Sequence, residues 1–229
     1  MGKTNSTSKV KNKSTKKSNY SYRNFLKKYL DNSLDLKTYQ KFGIGSLIFV
    51  IAGFIGWTYE FFLAWFEKGQ IYMKGGNFLP WINIYAIGAI ILIPIVWKLK
   101  KYPWAVFLAS ALTTGILELI AGWLVYNIGN GTRYWNYNEG LWTIGSINGF
   151  VCLLSVTCFG LSALLLAYVV LPFCTYLSFK MSRQAFLTLA VSLLVIILAD
   201  ELTNLTLKNL GQPTAMDFYR SLGLEYQNF

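Results

Sequence analysis

The sequence predicts an all-α, polytopic integral membrane helix bundle of about five transmembrane helices, with its N-terminus inside and its C-terminus outside. Three observations predict it. The 229 residues are 54% hydrophobic and only 14% charged, whereas a soluble domain carries about 25% charge. Apolar runs of about 20 residues, the length a bilayer requires, recur along the chain. The positive charges are also unevenly placed. Of 21 Lys and Arg, 11 precede Phe42, Lys98, Lys100 and Lys101 follow the second apolar run, and Lys180 and Arg183 follow the fourth. Only Lys68, Lys74, Arg133, Lys208 and Arg220 fall in the opposite connectors, which sets the orientation by the excess of positive charge on the inner face.

Residues 1–19 are Lys, Ser, Asn and Thr with almost no apolar side chain. They cannot offset the entropy of ordering and are expected to form a disordered basic tail. A basic tail beside apolar spans reads as topology control and attraction to anionic lipid, so the lipid bilayer is the expected partner and nucleic acid is not. In 20–40, Tyr22, Phe25, Leu26, Tyr29 and Leu30 share one helical face flanked by Arg23, Lys27 and Lys28. This amphipathic surface helix either lies on the inner membrane surface or packs on the rest of the protein.

The transmembrane bundle is expected over 42–203. Its spans are Phe42–Phe66, Phe78–Trp97, Pro103–Tyr126, Thr143–Leu171 and Gln184–Thr203. Pro103 suits a first helical turn. The fourth run exceeds one straight crossing, so it is expected to tilt, to bend near Gly160, or to begin with a re-entrant stretch at Thr143–Gly149. A hairpin, Asn127–Trp142, joins spans three and four, and 204–229 forms a short outer-face tail. Ala52 with Gly56, and Gly145 with Gly149, place small residues four apart. That spacing favours close helix contact and gives a surface for a homodimer. The chain contains no histidine. Cys152, Cys158 and Cys174 lie in or beside one apolar run, which argues for buried thiols rather than a zinc site or disulfides. No metal site and no cofactor are expected. GxxxxGK[ST], HExxH, GxSxG and CxxC patterns are all missing from the sequence, so the chain carries no P-loop of its own and is not expected to be an enzyme.

The polar residues at membrane depth gather at one level. Glu60, Asn83, Glu118, Asn148, Asp200 and Glu201 fall in the outer third of five different spans, with Lys74 and Arg133 in the connectors above. A carboxylate facing lipid costs about 3 kcal/mol, so these groups are expected to face one another around an outward-opening polar pocket. Two roles are open to it. Glu60 and Glu118 could pair with Lys74 and Arg133 and lock the connectors over the bundle, with Glu118 and Arg133 acting as one unit. They could instead bind a proton, a cation or a cationic part of a substrate. Span one (Gly56, Glu60, Trp65) and span three (Gly115, Glu118, Trp123) share a Glu-to-Trp spacing of five, the mark of a parallel internal duplication.

Four stretches carry a family resemblance. Gly56-Trp57-Thr58-Tyr59-Glu60 resembles a GW-x-x-E signature, and Lys74-Gly75 followed by Pro80–Gly88 resembles RG…GPWLPIYGxG. Leu117-Glu118 with Arg133–Tyr137 is similar to LE…RWWDY, and Gly149–Leu153 is similar to GRICL. In this order, over about residues 42–172, they resemble a bacterial family named Putative ABC-transporter type IV. The departures fall on charge: Lys74, Asn83, Asn136 and Phe150 stand where the family carries Arg, Pro, Asp and Arg. The resemblance implies a permease-like subunit that moves a small solute across the bacterial cytoplasmic membrane, energised by a separate ATPase subunit. The alternative is a non-transporting scaffold, sensor or immunity-type protein. With Tyr85 and Trp135 of the matching motifs added, the candidate binding residues are Glu60, Lys74, Asn83, Tyr85, Glu118, Arg133, Trp135 and Asn148.

Overall fold

A computed structural model describes residues 22–69, 72–73, 75–131, 133 and 135–226. The expected basic tail, 1–19, and Lys74 lie outside the described residues. The chain runs through α1 (Tyr22–Leu30), α2 (Thr38–Lys68), α3 (Asn83–Leu99), α4 (Pro103–Ile128), α5 (Leu153–Leu165), α6 (Leu171–Lys180), α7 (Arg183–Asn209) and α8 (Ala215–Ser221). A π turn, Leu166–Val170, joins α5 to α6, so 153–180 is one helix of 28 residues. Strands β1 (Tyr72–Met73) and β2 (Glu225–Tyr226) form a single short parallel pair.

Helices α2, α4, α5–α6 and α7 are long and apolar enough to cross a membrane, and α3 is a shorter apolar helix of 17 residues. Their outward faces require lipid. Leu108, Leu112, Ile116, Ile120 and Trp123 recur every three or four residues along α4, and all are at least half exposed. Such a stripe is stable only against a non-aqueous solvent. Helix α2 is central and packs on α3, α6 and α7, while α4 lies against α5 and α3. Helical glycines let the bundle close. The ring of Phe186 sits on Gly43, the Trp81 indole on Gly53, Tyr85 on Gly56 and Phe107 on Gly160.

The helix ends sort by charge. At the basic end, Gln40 of α2 donates to the Ser178 carbonyl and hydroxyl on α6 (3.2 and 3.0 Å). Its amide oxygen turns back to accept the Lys37 N–H, closing the first turn of α2. Of the two surfaces open to the amphipathic helix, α1 takes the protein. Phe25 and Tyr29 are each 1% exposed, and Phe25 rests on Tyr176 and Phe179. The main hydrophobic core fills this half of the bundle, with Ile48, Val96, Val106 and Leu171 at its centre.

The irregularity of the fourth span is the π turn at Leu166–Val170 rather than a bend at Gly160, and Pro172 accounts for it. In the π register the Leu171 N–H bonds to the Leu166 carbonyl. The next donor in that register, for the Ala167 carbonyl, would be residue 172, and proline has no N–H. The Tyr29 hydroxyl fills the gap, donating to the Ala167 carbonyl at 2.7 Å. Lys100, between α3 and α4, is wholly buried and its Nζ has no hydrogen-bond acceptor among the described residues. The ammonium instead lies 3.2 Å from the Trp97 ring centre and 4.2 Å from that of Tyr29, a cation–π arrangement. Burial pulls its pKa down to about 7.

The second and fourth expected spans begin late. Residues 75–82 are irregular, and α3 starts at Asn83 rather than Phe78. Irregular backbone is tolerated at membrane depth only if the protein satisfies it. Asp200 accepts the Phe78 and Leu79 N–H groups (3.2 and 2.8 Å), and Glu201 accepts the Asn77 amide at 3.0 Å. Asn204 donates to the Gly76 carbonyl and accepts the Ala215 N–H at the start of α8. The two acids of α7 therefore hold this connector instead of joining a shared acidic cluster. In the fourth span helix begins only at Leu153. Gly145, Asn148 and Gly149 have φ of 66°, 51° and 72°, a left-handed region that a helix excludes, so Gly145 and Gly149 belong to a folded loop and not to a helix-packing pair.

Candidate functional site

The loop between α4 and α5 is built by hydrogen bonds to its own returning strand of chain. The Ile147 N–H bonds to the Val151 carbonyl, the Trp135 indole donates to the Phe150 carbonyl at 2.8 Å, and the Tyr137 N–H donates to the Gly149 carbonyl at 3.1 Å. Gly149 is required here. A Cβ at this position would lie 2.5 to 2.9 Å from atoms of Asn138, Asn136 and Arg133. Cys152 caps α5, its sulfur accepting the Ser155 N–H.

Glu118 and Arg133 do not form one unit. The Glu118 carboxylate accepts the Tyr137 hydroxyl at 2.6 Å and the Ser155 hydroxyl at 2.8 Å. Arg133 donates to the Asn148 carbonyl at 2.7 Å, with its guanidinium 4.8 Å from the Tyr126 ring and 4.6 Å from the Phe150 ring. The physical reason is local. Two neutral hydroxyls satisfy the carboxylate from elements that already touch it, and the guanidinium finds a carbonyl and two ring faces where the chain folds back. Tyr137 lies outside the spanning helices. Burial and the neighbouring carboxylate of Glu118 push its phenol pKa up, so it remains a hydrogen-bond donor.

Beneath this loop lies a chamber of about 870 Å³ between α2, α3, α4 and α5. Glu60, Tyr85 and Trp135 of the expected site line it, and Glu118 stands one hydrogen bond behind, through Tyr137 and Ser155. The Tyr85 hydroxyl donates to Glu60. Asn83 is exposed in the first turn of α3, and Arg133 and Asn148 belong to the loop's own scaffold, so these three do not line the chamber. The roof is latched across it: the Trp142 indole donates to Glu67 at the end of α2 (2.6 Å) and stacks on Tyr137 at 5.3 Å.

Sequence reasoning missed Tyr59, Tyr137, Glu139, Trp142 and Cys158, all of which line the chamber. Tyr59 and Tyr137 stand inside the matched motifs, and their hydroxyls were the signal to weigh. Glu139, Trp142 and Cys158 carry no pattern that separates them from ordinary loop or helix residues. A comparison with protein families covers the same helices. The family model described as Putative ABC-transporter type IV matches residues 47–205. The chain belongs to this family. No curated protein and no solved structure matches it. The match runs from α2 to α7 and so takes in every helix around the chamber, leaving α1 and α8 outside.

Proposed function

We propose that this family member is a permease-like subunit that moves a small solute across the bacterial cytoplasmic membrane by way of the chamber, energised by a separate ATPase. The observation that carries the reading is the chamber itself, which at about 870 Å³ has the size of a small-molecule site. It sits among membrane-length helices in a chain of transporter-family type. The lack of a GxxxxGK[ST] sequence in the chain supports a partner that supplies ATP hydrolysis. The basic end faces the cytoplasm on this reading, because the lysines and arginines of α1, Lys98–Lys101, Lys180 and Arg183 gather there. The roof end of the chamber then lies toward the outer face.

A second reading has one observation in its favour. Asp200, Glu201 and Glu118 accept hydrogen bonds from the protein's own backbone and side chains, as they would in a non-transporting scaffold. The two readings are separated by accessibility. Single cysteines at Glu139 (roof) and Val170 (floor) are labelled with an impermeant thiol reagent from each side of native-membrane vesicles, with and without ATP. A permease exchanges which position is reached from which side when ATP is added. Accessibility that ignores ATP rejects transport in favour of the scaffold.

A further inference from the structure

The chamber is long, and its two ends differ in chemistry. Its lining runs along α2 from Glu67 to Ala52 and along the α5 helix from Ser155 to Val170. Each is an offset of 15 residues, or about 22 Å of helix. The end under the roof presents the carboxylates of Glu60, Glu67 and Glu139 among Tyr59, Tyr85 and Trp142. The far end presents Ala52, Ile55, Leu92, Leu166 and Val170, with the Ser162 hydroxyl where the two ends meet. No lysine or arginine among the described residues lines either end. Carboxylates and ring faces attract an organic cation and repel an anion. From Cys158 at the head end to Val170 the wall descends 12 residues, about 18 Å of helix, and the apolar floor at its foot accepts hydrocarbon.

We propose that the chamber's ligand is a single-chain cationic amphiphile, an amine or quaternary ammonium whose head lies among Glu60, Glu139 and the aromatic rings and whose tail reaches the π turn. This rests on the reading of the chamber as the solute site, and it adds the ligand's charge and its two-part shape.

Cys158 gives the test a reporter. Its thiol faces Tyr59 at the head end, whereas Cys152 and Cys174 are buried. The full-length protein in phosphatidylcholine nanodiscs is treated with trimethylammonioethyl or sulfonatoethyl methanethiosulfonate. Each rate is divided by that reagent's rate with free 2-mercaptoethanol, and Cys158→Ser supplies the background. The normalised rates should favour the cationic reagent about tenfold, equivalent to about 1.4 kcal/mol. In Glu139→Gln, a change on the exposed roof that leaves folding intact, the preference should fall to about threefold. Dodecyltrimethylammonium should protect Cys158 from neutral N-ethylmaleimide at concentrations at least tenfold below tetramethylammonium, and dodecyl sulfate should not protect it. Equal normalised rates, or equal protection by dodecyl sulfate, overturn the ligand class and leave the permease reading in place. Protection by tetramethylammonium as good as by the dodecyl compound overturns the tail. A thiol that neither reagent reaches means a closed chamber, and it overturns the permease reading together with the ligand.

Discussion

Replacing Tyr29 by Phe removes one oxygen atom and should loosen the basic end of the bundle. The hydroxyl is the donor that Pro172 denies to the Ala167 carbonyl, at 2.7 Å, in a place where Tyr29 is 1% exposed and Ala167 is fully buried. Without it a buried carbonyl loses its partner, at about 1–3 kcal/mol, and the ring that remains still packs on Trp97 and under the Lys100 ammonium. The loss should therefore come from the hydrogen bond and not from a cavity. Unfolding free energy in a mixed-micelle titration measures it. The specific check is a double-mutant cycle with Pro172→Ala, which returns an N–H at residue 172. If the carbonyl is the issue, Pro172→Ala should recover about 1 kcal/mol or more in the Tyr29→Phe background beyond its effect in the wild type. Additive single effects would refute the reasoning, since they would mean that the hydroxyl and the proline act on different groups.

Lys100→Met should stabilise the protein at neutral pH and flatten its pH dependence. The folded-state pKa of about 7 lies below the usual lysine value of 10.5, so the unfolded chain binds the extra proton between these values. Wild-type stability then rises from pH 7 toward 10 and is level below 7; thermal unfolding across that range decides it, and a wild-type curve with no such rise would sink the argument. Gly53→Ala should destabilise by about 1–3 kcal/mol, because a Cβ would lie 2.0 Å from the Trp81 indole nitrogen, which is itself bonded to the Val50 carbonyl; an unchanged melting temperature would show that Trp81 can move aside. Asp200→Ala should speed hydrogen exchange at the Phe78 and Leu79 amides at least tenfold, as both lose their acceptor, and unchanged exchange would place the connector's anchor elsewhere.

The bundle was legible because membrane helices declare themselves by length and apolarity, and the lysine and arginine clusters mark one set of helix ends. What could not be read was which partner each polar group takes. A glutamate at membrane depth needs donors, and a basic residue nearby is the obvious one in sequence, yet Glu118 takes two hydroxyls from Tyr137 and Ser155. Ser155 carries no pattern that marks it, and Tyr137 is marked only by its place in a motif. The same holds for Asp200, whose donors are backbone amides more than 120 residues earlier in the chain. The late start of the fourth span was legible only as one of three alternatives, the re-entrant stretch at Thr143–Gly149. The stretch 141–151 is nearly as apolar as a span, and only the positive φ values at Gly145, Asn148 and Gly149 exclude the helix. Pro172, by contrast, was an open signal for a break in register.

The π turn joins the two halves of the molecule. Ala167 carries the Tyr29 contact on the core side, while Leu166 and Val170, in the same turn, form the floor of the chamber. A side chain on a π turn is held in place by the turn's own hydrogen bonds, and one of these is supplied from α1. Weakening that bond should free the turn to change register, moving Val170 relative to the cavity. Val170→Cys in a Cys158→Ser background reports it. Adding Tyr29→Phe should raise the rate at which neutral N-ethylmaleimide labels residue 170 severalfold, while Tyr29→Phe with Pro172→Ala should return it toward the starting value. If α1 can be loosened with no change in labelling at the floor, the turn is rigid by packing alone. The N-terminal helix would then stabilise the basic end without reaching the chamber.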